Sequence, residues 1–397
     1  MVYVRDVQIQ PLVSSSTKLS NKEIKRYSRH ILLPEIGLEN QKRIANAKVL
    51  VVGAGGLGSP VLMYLASSGI KEIGLVEFDV VDESNLQRQV IHSTKSIGQS
   101  KAISAKARIN EINPNTNVVI FEEILTSKNA LEVLKNFDVV IDGSDNFATR
   151  YLLNDACVIL DKPYVWASIY RFDGQVSVFW KKYGPCYRCL HPEIPPKNMV
   201  QTCASGGVLA SMCATIGSLQ VTQCLQIITG VGDVLIGEVL SYSALDSNFR
   251  KIKINKDPNC LVCSENPQIT NLIDYESLCG PVQPRKDPGI KAKELKHMLD
   301  KREKGELDFA LIDIREEREK EIVEIKGSIS INKDDIYLKD GLRLIPQNKA
   351  IILYCRSGNR STDLMHYLKH NGFLETNHLE GGVLAWVKEV EINEASY

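Results

Sequence analysis

The chain has 397 residues, with 48 Lys or Arg against 48 Asp or Glu, for a formal net charge of +0. That length exceeds one ordinary core and fits two or three domains, and 44% hydrophobic with 24% charged residues excludes a disordered chain. The balanced charge argues against a nucleic-acid binder that works through bulk positive charge. Met1 to Lys18 is polar and Ser-rich with no apolar core, so no signal peptide is expected. Ser20-Asn21-Lys22-Glu23 is a capping box that predicts a helix running through Arg26, Tyr27, Arg29 and His30. Lys48 to Val52 is a β-branched run that ends in glycines, and a helix pattern follows from Pro60 to Gly69. Strands are predicted at Gly74–Phe78, Val118–Phe121 and Asp138–Asp142, with helices at Lys101–Ile112 and Ala130–Lys135 between them. This alternation predicts an α/β fold with a doubly wound, parallel sheet.

Val176–Trp180 and Val239–Ser243 read as later, antiparallel strands. The apolar stretch Gly206–Gly230 carries Ser211, Thr215, Ser218, Gln220, Gln223 and Gln226, so it reads as a buried helix and not as a membrane span. Cytoplasm is the expected compartment. Prolines accumulate between residues 266 and 289, which places a linker at 268–289 between a first domain, 1–267, and a second, 290–397. In the second, the α/β rhythm restarts: helix 291–304, strands Phe309–Ile314 and Ile351–Tyr354, helix Ser361–His370, and a strand near Thr376–Leu379.

Gly53-Ala54-Gly55-Gly56-Leu57-Gly58 follows a strand and opens a helix. Glycines let the backbone approach phosphate, and the helix N-terminus offers N–H donors. Glu77, 24 residues past Gly53, ends the next strand and suits a ribose hydroxyl. Taken alone, this fingerprint does not separate NAD from ATP. Arg88 in Ser84-Asn85-Leu86-Gln87-Arg88-Gln89 and Lys101 in Gly98-Gln99-Ser100-Lys101 add two cations at the nucleotide side of the sheet, which suits a triphosphate. Asp145, in Asp142-Gly143-Ser144-Asp145-Asn146, is suited to hold Mg²⁺ by one carboxylate.

The glycine motif, the Ser84–Gln89 segment and Ser144-Asp145-Asn146 together resemble the ThiF/MoeB superfamily, bacterial relatives of ubiquitin-activating enzymes, over about residues 20–265. The resemblance implies a Rossmann-like adenylation domain that uses ATP to adenylate the C-terminal Gly-Gly carboxylate of a ubiquitin-like sulfur carrier. It implies that Gly56, Glu77, Ser84, Asn85, Leu86, Gln87, Arg88, Lys101, Asp145 and Asn146 bind ATP. It also implies that Arg29, in Arg26-Tyr27-Ser28-Arg29-His30, reaches the partner's ATP in a homodimer. Glu77 departs from the family's usual Asp, and the longer acid still accepts from a ribose.

Cys186-Tyr187-Arg188-Cys189 and Cys260-Leu261-Val262-Cys263 are paired Cys-x-x-Cys hairpins, a donor set for a closed structural Zn²⁺ site. Cys203 precedes the apolar helix, where a helix N-terminus favours thiolate. It is therefore a candidate nucleophile, and the resemblance gives the matching cysteine a role in attacking the adenylate or resolving the sulfur-transfer intermediate. Cys157, Cys213 and Cys224 read as small core residues, and Cys279 is given no role.

Cys355 follows the strand Ala350–Tyr354 and opens Cys355-Arg356-Ser357-Gly358-Asn359-Arg360 before a helix. Such a loop turns consecutive N–H groups inward as an anion cradle and stabilises a persulfide anion. Four residues separate Cys355 from Arg360, one fewer than in cysteine phosphatases, so the pocket suits a terminal sulfur over a phosphate. With Asp313-Ile314-Arg315-Glu316 and Glu380-Gly381-Gly382-Val383-Leu384-Ala385-Trp386, residues 290–390 resemble a rhodanese domain. The whole chain thus resembles the fused adenylyltransferase–sulfurtransferases of molybdopterin, thiamine, cysteine and tRNA-thiolation pathways. The resemblance implies that a cysteine desulfurase or thiosulfate loads Cys355. Two rival readings are an NAD-dependent oxidoreductase and a non-catalytic scaffold for a ubiquitin-like partner.

Overall fold

A computed structural model of the chain describes residues 9–194, 207–273, 275, 288–338 and 340–392. It divides into two compact units, Met1–Pro281 and Val282–Tyr397, a division inside the 268–289 segment.

The first unit opens with helices α1 (Asn21–Arg26), α2 (Ser28–Ile31) and α3 (Gly37–Asn46). The capping box forms: the Glu23 carboxylate accepts from the Ser20 N–H at 2.7 Å, and the Ser20 hydroxyl accepts from the Glu23 N–H at 3.3 Å. The expected continuous helix breaks at Tyr27, where the backbone leaves the helical region at φ −95° and ψ 13°, and the buried Tyr27 hydroxyl accepts from Asn113 Nδ2 at 2.8 Å.

Eight strands follow: β1 (Lys48–Val52), β2 (Glu72–Val76), β3 (Asn117–Phe121), β4 (Val139–Asp142), β5 (Tyr164–Tyr170), β6 (Asp173–Phe179), β7 (Glu238–Ser243) and β8 (Asn248–Lys253). They form one sheet in the order β3-β2-β1-β4-β5-β6-β7-β8, parallel through β5 and antiparallel beyond it. The connecting helices are α4 (Gly58–Ser68), α5 (Lys101–Ile112), α6 (Ala130–Leu134), α7 (Phe147–Ile159), α8 (Tyr187–Leu190) and α9 (Ala210–Thr229). β1 and β4 are buried along almost their whole length, as strands covered on both faces must be. Residues Val49, Val51, Ile73 and Ile141 pack with α4 and α9, while Leu50, Val52 and Val140 pack with α6 and α7. The strand order reverses between β1 and β4, so a crevice opens at their carboxyl ends.

The second unit carries β9 (Phe309–Asp313), β10 (Ile329–Ser330), β11 (Ala350–Tyr354) and β12 (Thr376–His378) in the parallel order β10-β9-β11-β12. Around this sheet stand α10 (Ala292–Glu303), α11 (Glu317–Lys320), α12 (Lys333–Tyr337), α13 (Asn359–His370) and α14 (Gly382–Glu389). No helix among the described residues is long and apolar enough to cross a membrane.

Candidate active site

The crevice of the first unit is shaped by glycines. Gly53, at φ +97°, leaves no room for a side chain, because a Cβ there would stand 2.9 Å from the Gly143 carbonyl. The two loops are stitched to the strands: the Gly53 N–H donates to the Val76 carbonyl at 2.8 Å, and the Gly143 N–H to the Val52 carbonyl at 2.8 Å. A cavity results between the N-termini of α4 and α7. Of the residues expected to bind nucleotide, Gly56, Glu77, Arg88, Lys101, Asp145 and Asn146 line it.

Glu77 is buried, and both carboxylate oxygens hold backbone. Oε2 accepts from the Ala54 N–H at 2.8 Å, and Oε1 accepts from the Phe78 and Asp79 N–H groups at 2.9 Å each. Its first service is therefore to brace the glycine loop. Asp79 also lines the cavity, and its carboxylate accepts from Lys101 Nζ at 3.1 Å. Asp79 lies two residues past Glu77, and that spacing from the acid at the strand end is its signal in the sequence. Arg88 Nη1 donates to the Ser84 carbonyl at 3.2 Å, which ties the cavity-lining cation to a 3₁₀ turn at Glu83–Asn85. Ser84, Asn85, Leu86 and Gln87 belong to that turn region and are not among the lining residues. The Asp82 carboxylate caps the turn, accepting from the Ser84 N–H at 2.9 Å. Arg29 is exposed on α2 and is likewise not a lining residue.

Asp145 is exposed at the cavity wall, and the Asn146 side chain caps α7 by accepting from the Thr149 N–H at 2.8 Å. One turn on, Arg150 lines the same cavity at 7% exposure, with its Nε unpartnered by protein and its guanidinium 5.2 Å from the Phe147 ring centroid. The i, i+4 spacing from Asn146 was the signal that places it there. Buried Gln89 also lines the cavity, with its Oε1 unpartnered by protein. Cys213 is buried as expected, but its Sγ borders the cavity and would lie 2.7 Å from a Cβ on Gly56. Cys157 and Cys224 are core thiols, pushed up in pKa by burial. Cys203 and Cys279 lie outside the described residues.

The two Cys-x-x-Cys hairpins meet. Cys186 and Cys260 Sγ are 3.5 Å apart, Cys189 and Cys263 Sγ 3.4 Å, and Cys186 and Cys189 Sγ 4.0 Å, with all four sulfurs within 4.8 Å of one another. Tetrahedral zinc with bonds of about 2.3 Å needs sulfurs about 3.8 Å apart, so this donor set fits the ion. Between the pair, Arg188 makes a buried bidentate ion pair with Asp155 of α7, at 2.9 and 2.8 Å, and the Tyr275 hydroxyl donates to the same carboxylate at 2.6 Å.

In the second unit, Cys355 is fully buried, and its Sγ accepts from the Gly358 N–H at 3.2 Å. Gly358 needs its φ of +94° to turn that N–H back on the sulfur. The late motif supports the loop from outside. The Val383 and Leu384 N–H groups donate to the Cys355 and Arg356 carbonyls at 2.9 and 3.1 Å, an approach that a Cβ on Gly382 would block. In the early motif, buried Asp313 holds Arg315 through a bidentate pair. Arg360, expected in the cradle, instead forks onto Glu319 of α11 at 2.6 and 2.9 Å.

A glycine-loop cavity ringed by cations in one unit and a loop-held thiol in the other define a two-part transferase, one part for a nucleotide and one for sulfur. Residues 27–262 match the model of the ThiF family and residues 291–389 that of the rhodanese-like domain, so the chain belongs to the ThiF family with a rhodanese-like domain appended. It is 47% identical, over 98% of its own length and 99% of the relative's, to the probable adenylyltransferase/sulfurtransferase MoeZ of Mycobacterium tuberculosis. It is 41% identical, over 94% of its length and 86% of the relative's, to the adenylyltransferase and sulfurtransferase MOCS3 of Drosophila ananassae. Among solved structures, E. coli MccB with ATP matches with a TM-score of 0.54 at 21% identity, over 63% of this chain and 76% of that one, which shows the shared fold. The chain is accordingly an adenylyltransferase and sulfurtransferase, and the oxidoreductase and scaffold readings are not favoured.

Proposed function

We propose that the first unit uses ATP to adenylate the C-terminal glycine of a ubiquitin-like sulfur carrier, and that a persulfide on Cys355 converts the product to a thiocarboxylate. The observation that carries this reading is the ring of Arg88, Lys101 and Arg150 around one glycine-loop cavity, beside the exposed carboxylate of Asp145. A carboxylate attacking a triphosphate faces charge repulsion. The three cations offset it and stabilise charge leaving on pyrophosphate. The nucleophile is already ionised near neutral pH, so no general base is required. Asp145 would hold Mg²⁺, whose chemistry is to neutralise phosphate charge.

In the second stage the terminal sulfur of the Cys355 persulfide attacks the acyl carbon and AMP leaves, giving an acyl disulfide. A second thiol then attacks the Cys355 sulfur, releasing the thiocarboxylate and leaving a disulfide on Cys355. Cys203 is the candidate for that thiol. Arg29, exposed on α2, is assigned to the partner's nucleotide in a homodimer. All eight described cysteines are unbridged, which supports a reducing, cytoplasmic setting.

The test is incubation with candidate Gly-Gly carriers, ATP and a sulfur source, followed by intact-mass measurement of each carrier for exchange of oxygen for sulfur. Cys355→Ala should keep carrier-dependent ATP–pyrophosphate exchange and lose the mass change. Loss of exchange in that variant would refute the division between units.

A further inference from the structure

The cysteine loop of the second unit has two cations in its sequence, Arg356 and Arg360. Arg360 would be the natural fork for a tetrahedral dianion, since a guanidinium matches two oxygens at once. In the structure that fork is taken. Arg360 Nη2 donates to Glu319 Oε1 at 2.6 Å and Nη1 to Glu319 Oε2 at 2.9 Å. The pair is partly buried, with side-chain exposures of 32% for Arg360 and 14% for Glu319.

Glu319 is itself fixed. Its Oε2 also accepts from the Glu316 N–H at 3.1 Å, closing the capping box of α11, and its carbonyl accepts from Arg315 Nη1 at 3.2 Å. Arg315 is in turn locked into the buried pair with Asp313. The carboxylate is thus held by the early motif, which runs directly off β9, and it reaches across to α13 to hold Arg360 by its fork. The charge of Arg360 is compensated before any donor arrives. At the sulfur itself the Gly358 N–H donates at 3.2 Å, and the Ser361 hydroxyl, which donates to the Gly358 carbonyl at 2.8 Å, stands 3.5 Å away.

From this geometry we infer that Glu319 is a specificity-determining residue: by occupying the Arg360 fork it biases Cys355 against dianionic sulfur donors and toward persulfides. The inference rests on the reading of Cys355 as the sulfur-carrying thiol. Two loading reactions compete. With thiosulfate, the Cys355 thiolate attacks the outer sulfur, the S–S bond breaks and sulfite leaves with the electron pair as a dianion. With a persulfide R–S–SH, the same thiolate attacks the terminal sulfur, the S–S bond breaks, and R–S⁻ leaves with the electron pair and takes the proton of that terminal sulfur to give R–SH, so that Cys355 holds a persulfide anion. Only the first reaction must seat and release a doubly charged group, and that is what a free guanidinium fork would serve.

The experiment uses the full chain with thiosulfate and cyanide on one side and glutathione persulfide on the other. Glu319→Gln removes the charge, and Glu319→Ala frees the fork. Both should lower the thiosulfate KM by about tenfold, the worth of roughly one charge-assisted hydrogen bond. Persulfide transfer should stay within about twofold if only the dianion feels the change. Glu319→Asp, which can rebuild the pair, should return toward the parent values. A thiosulfate KM that does not fall, or equal shifts for both donors, would overturn the proposal. Should the variants fail to fold, the parent protein still decides: sulfate should compete only weakly with glutathione persulfide, and strong competition would overturn it. Cys355→Ala separates the two levels. If that variant still accepts sulfur from either donor, the assignment of Cys355 is at fault and not that of Glu319.

Discussion

His92 Nε2 lies 3.0 Å from the carbonyl oxygen of Ala54, a residue of the glycine loop 38 positions earlier. A carbonyl can only accept, so Nε2 carries the hydrogen, and Nδ1 is left to accept from the Ser104 hydroxyl at 3.0 Å. One neutral imidazole thereby links the glycine loop to α5, whose first residue, Lys101, lines the cavity.

Burial is the main cause that pushes the His92 pKa down; nearby Lys101 adds to it, while the Ala54 carbonyl and Glu77 oppose it. A histidine depressed in the folded state stabilises the fold above its unfolded pKa of about 6.5, and that stability is lost as pH falls below it. The thermal midpoint should therefore drop between neutral and mildly acidic pH. His92→Gln should flatten part of that drop, while His191, depressed by burial and by Arg150, retains the rest. At neutral pH the variant should cost about 1–3 kcal/mol and raise the KM for ATP more than it lowers kcat. An unchanged pH profile of melting would remove His92 from this role.

Gly56 and Cys213 meet where the glycine loop passes over α9. An alanine at 56 would place its Cβ 2.7 Å from Cys213 Sγ, closer than real Cβ atoms stand to any neighbour. Gly56→Ala should reduce ATP–pyrophosphate exchange about tenfold, equivalent to about 1.4 kcal/mol, and Cys213→Ala in the same chain should restore part of it. A double variant no better than the single one would show that the loss has another origin.

Arg29 is exposed within its own chain and absent from the cavity wall, whereas Arg88 lines that wall. If Arg29 serves a partner's nucleotide, each of Arg29→Ala and Arg88→Ala should be inactive alone. Mixed after exchange of subunits, the two should regain about a quarter of parental exchange, because one half-site in a mixed dimer has both arginines. No recovery would place the action of Arg29 elsewhere.

The four clustered sulfurs predict about one Zn²⁺ per chain and a chelator-sensitive melting transition. Cys260→Ser should lower metal content and stability together. Asp155→Ala leaves Arg188 buried without its partner beside these sulfurs, and is expected to cost about 3–5 kcal/mol of stability. Protein that melts identically with and without chelator would remove zinc from the fold.

Much of this architecture was legible in local pattern. The glycine motif after a β-branched run set β1 and the start of α4, and the Ser20 box set the start of α1. The strands missed were β5, β8 and the two-residue β10. β5 is a mixed run of aromatic and small residues, Tyr-Val-Trp-Ala-Ser-Ile-Tyr, and β8 is exposed throughout, so neither shows clean alternation. α7 was missed because it is buried along much of its length and has no single apolar stripe. Arg150 went unread with it, as a lone arginine inside a helix resembles a surface residue until the helix is placed.

By itself the order of residues determined which chemical groups are present and their local roles: glycines where backbone must come close, paired cysteines for a soft metal, a thiol at the start of a loop and helix. Those features depend on neighbours within a few positions, where sterics and hydrogen bonding act without the rest of the chain. Only tertiary structure decided how each charge is spent. It gave the Glu77 carboxylate to three backbone N–H groups, Lys101 to Asp79, and Arg360 to Glu319. Charge pairing is settled by distance in space and by burial: Glu77 and Ala54, Lys101 and Asp79, and Arg360 and Glu319, 22 to 41 residues apart along the chain, become neighbours only when the sheets close.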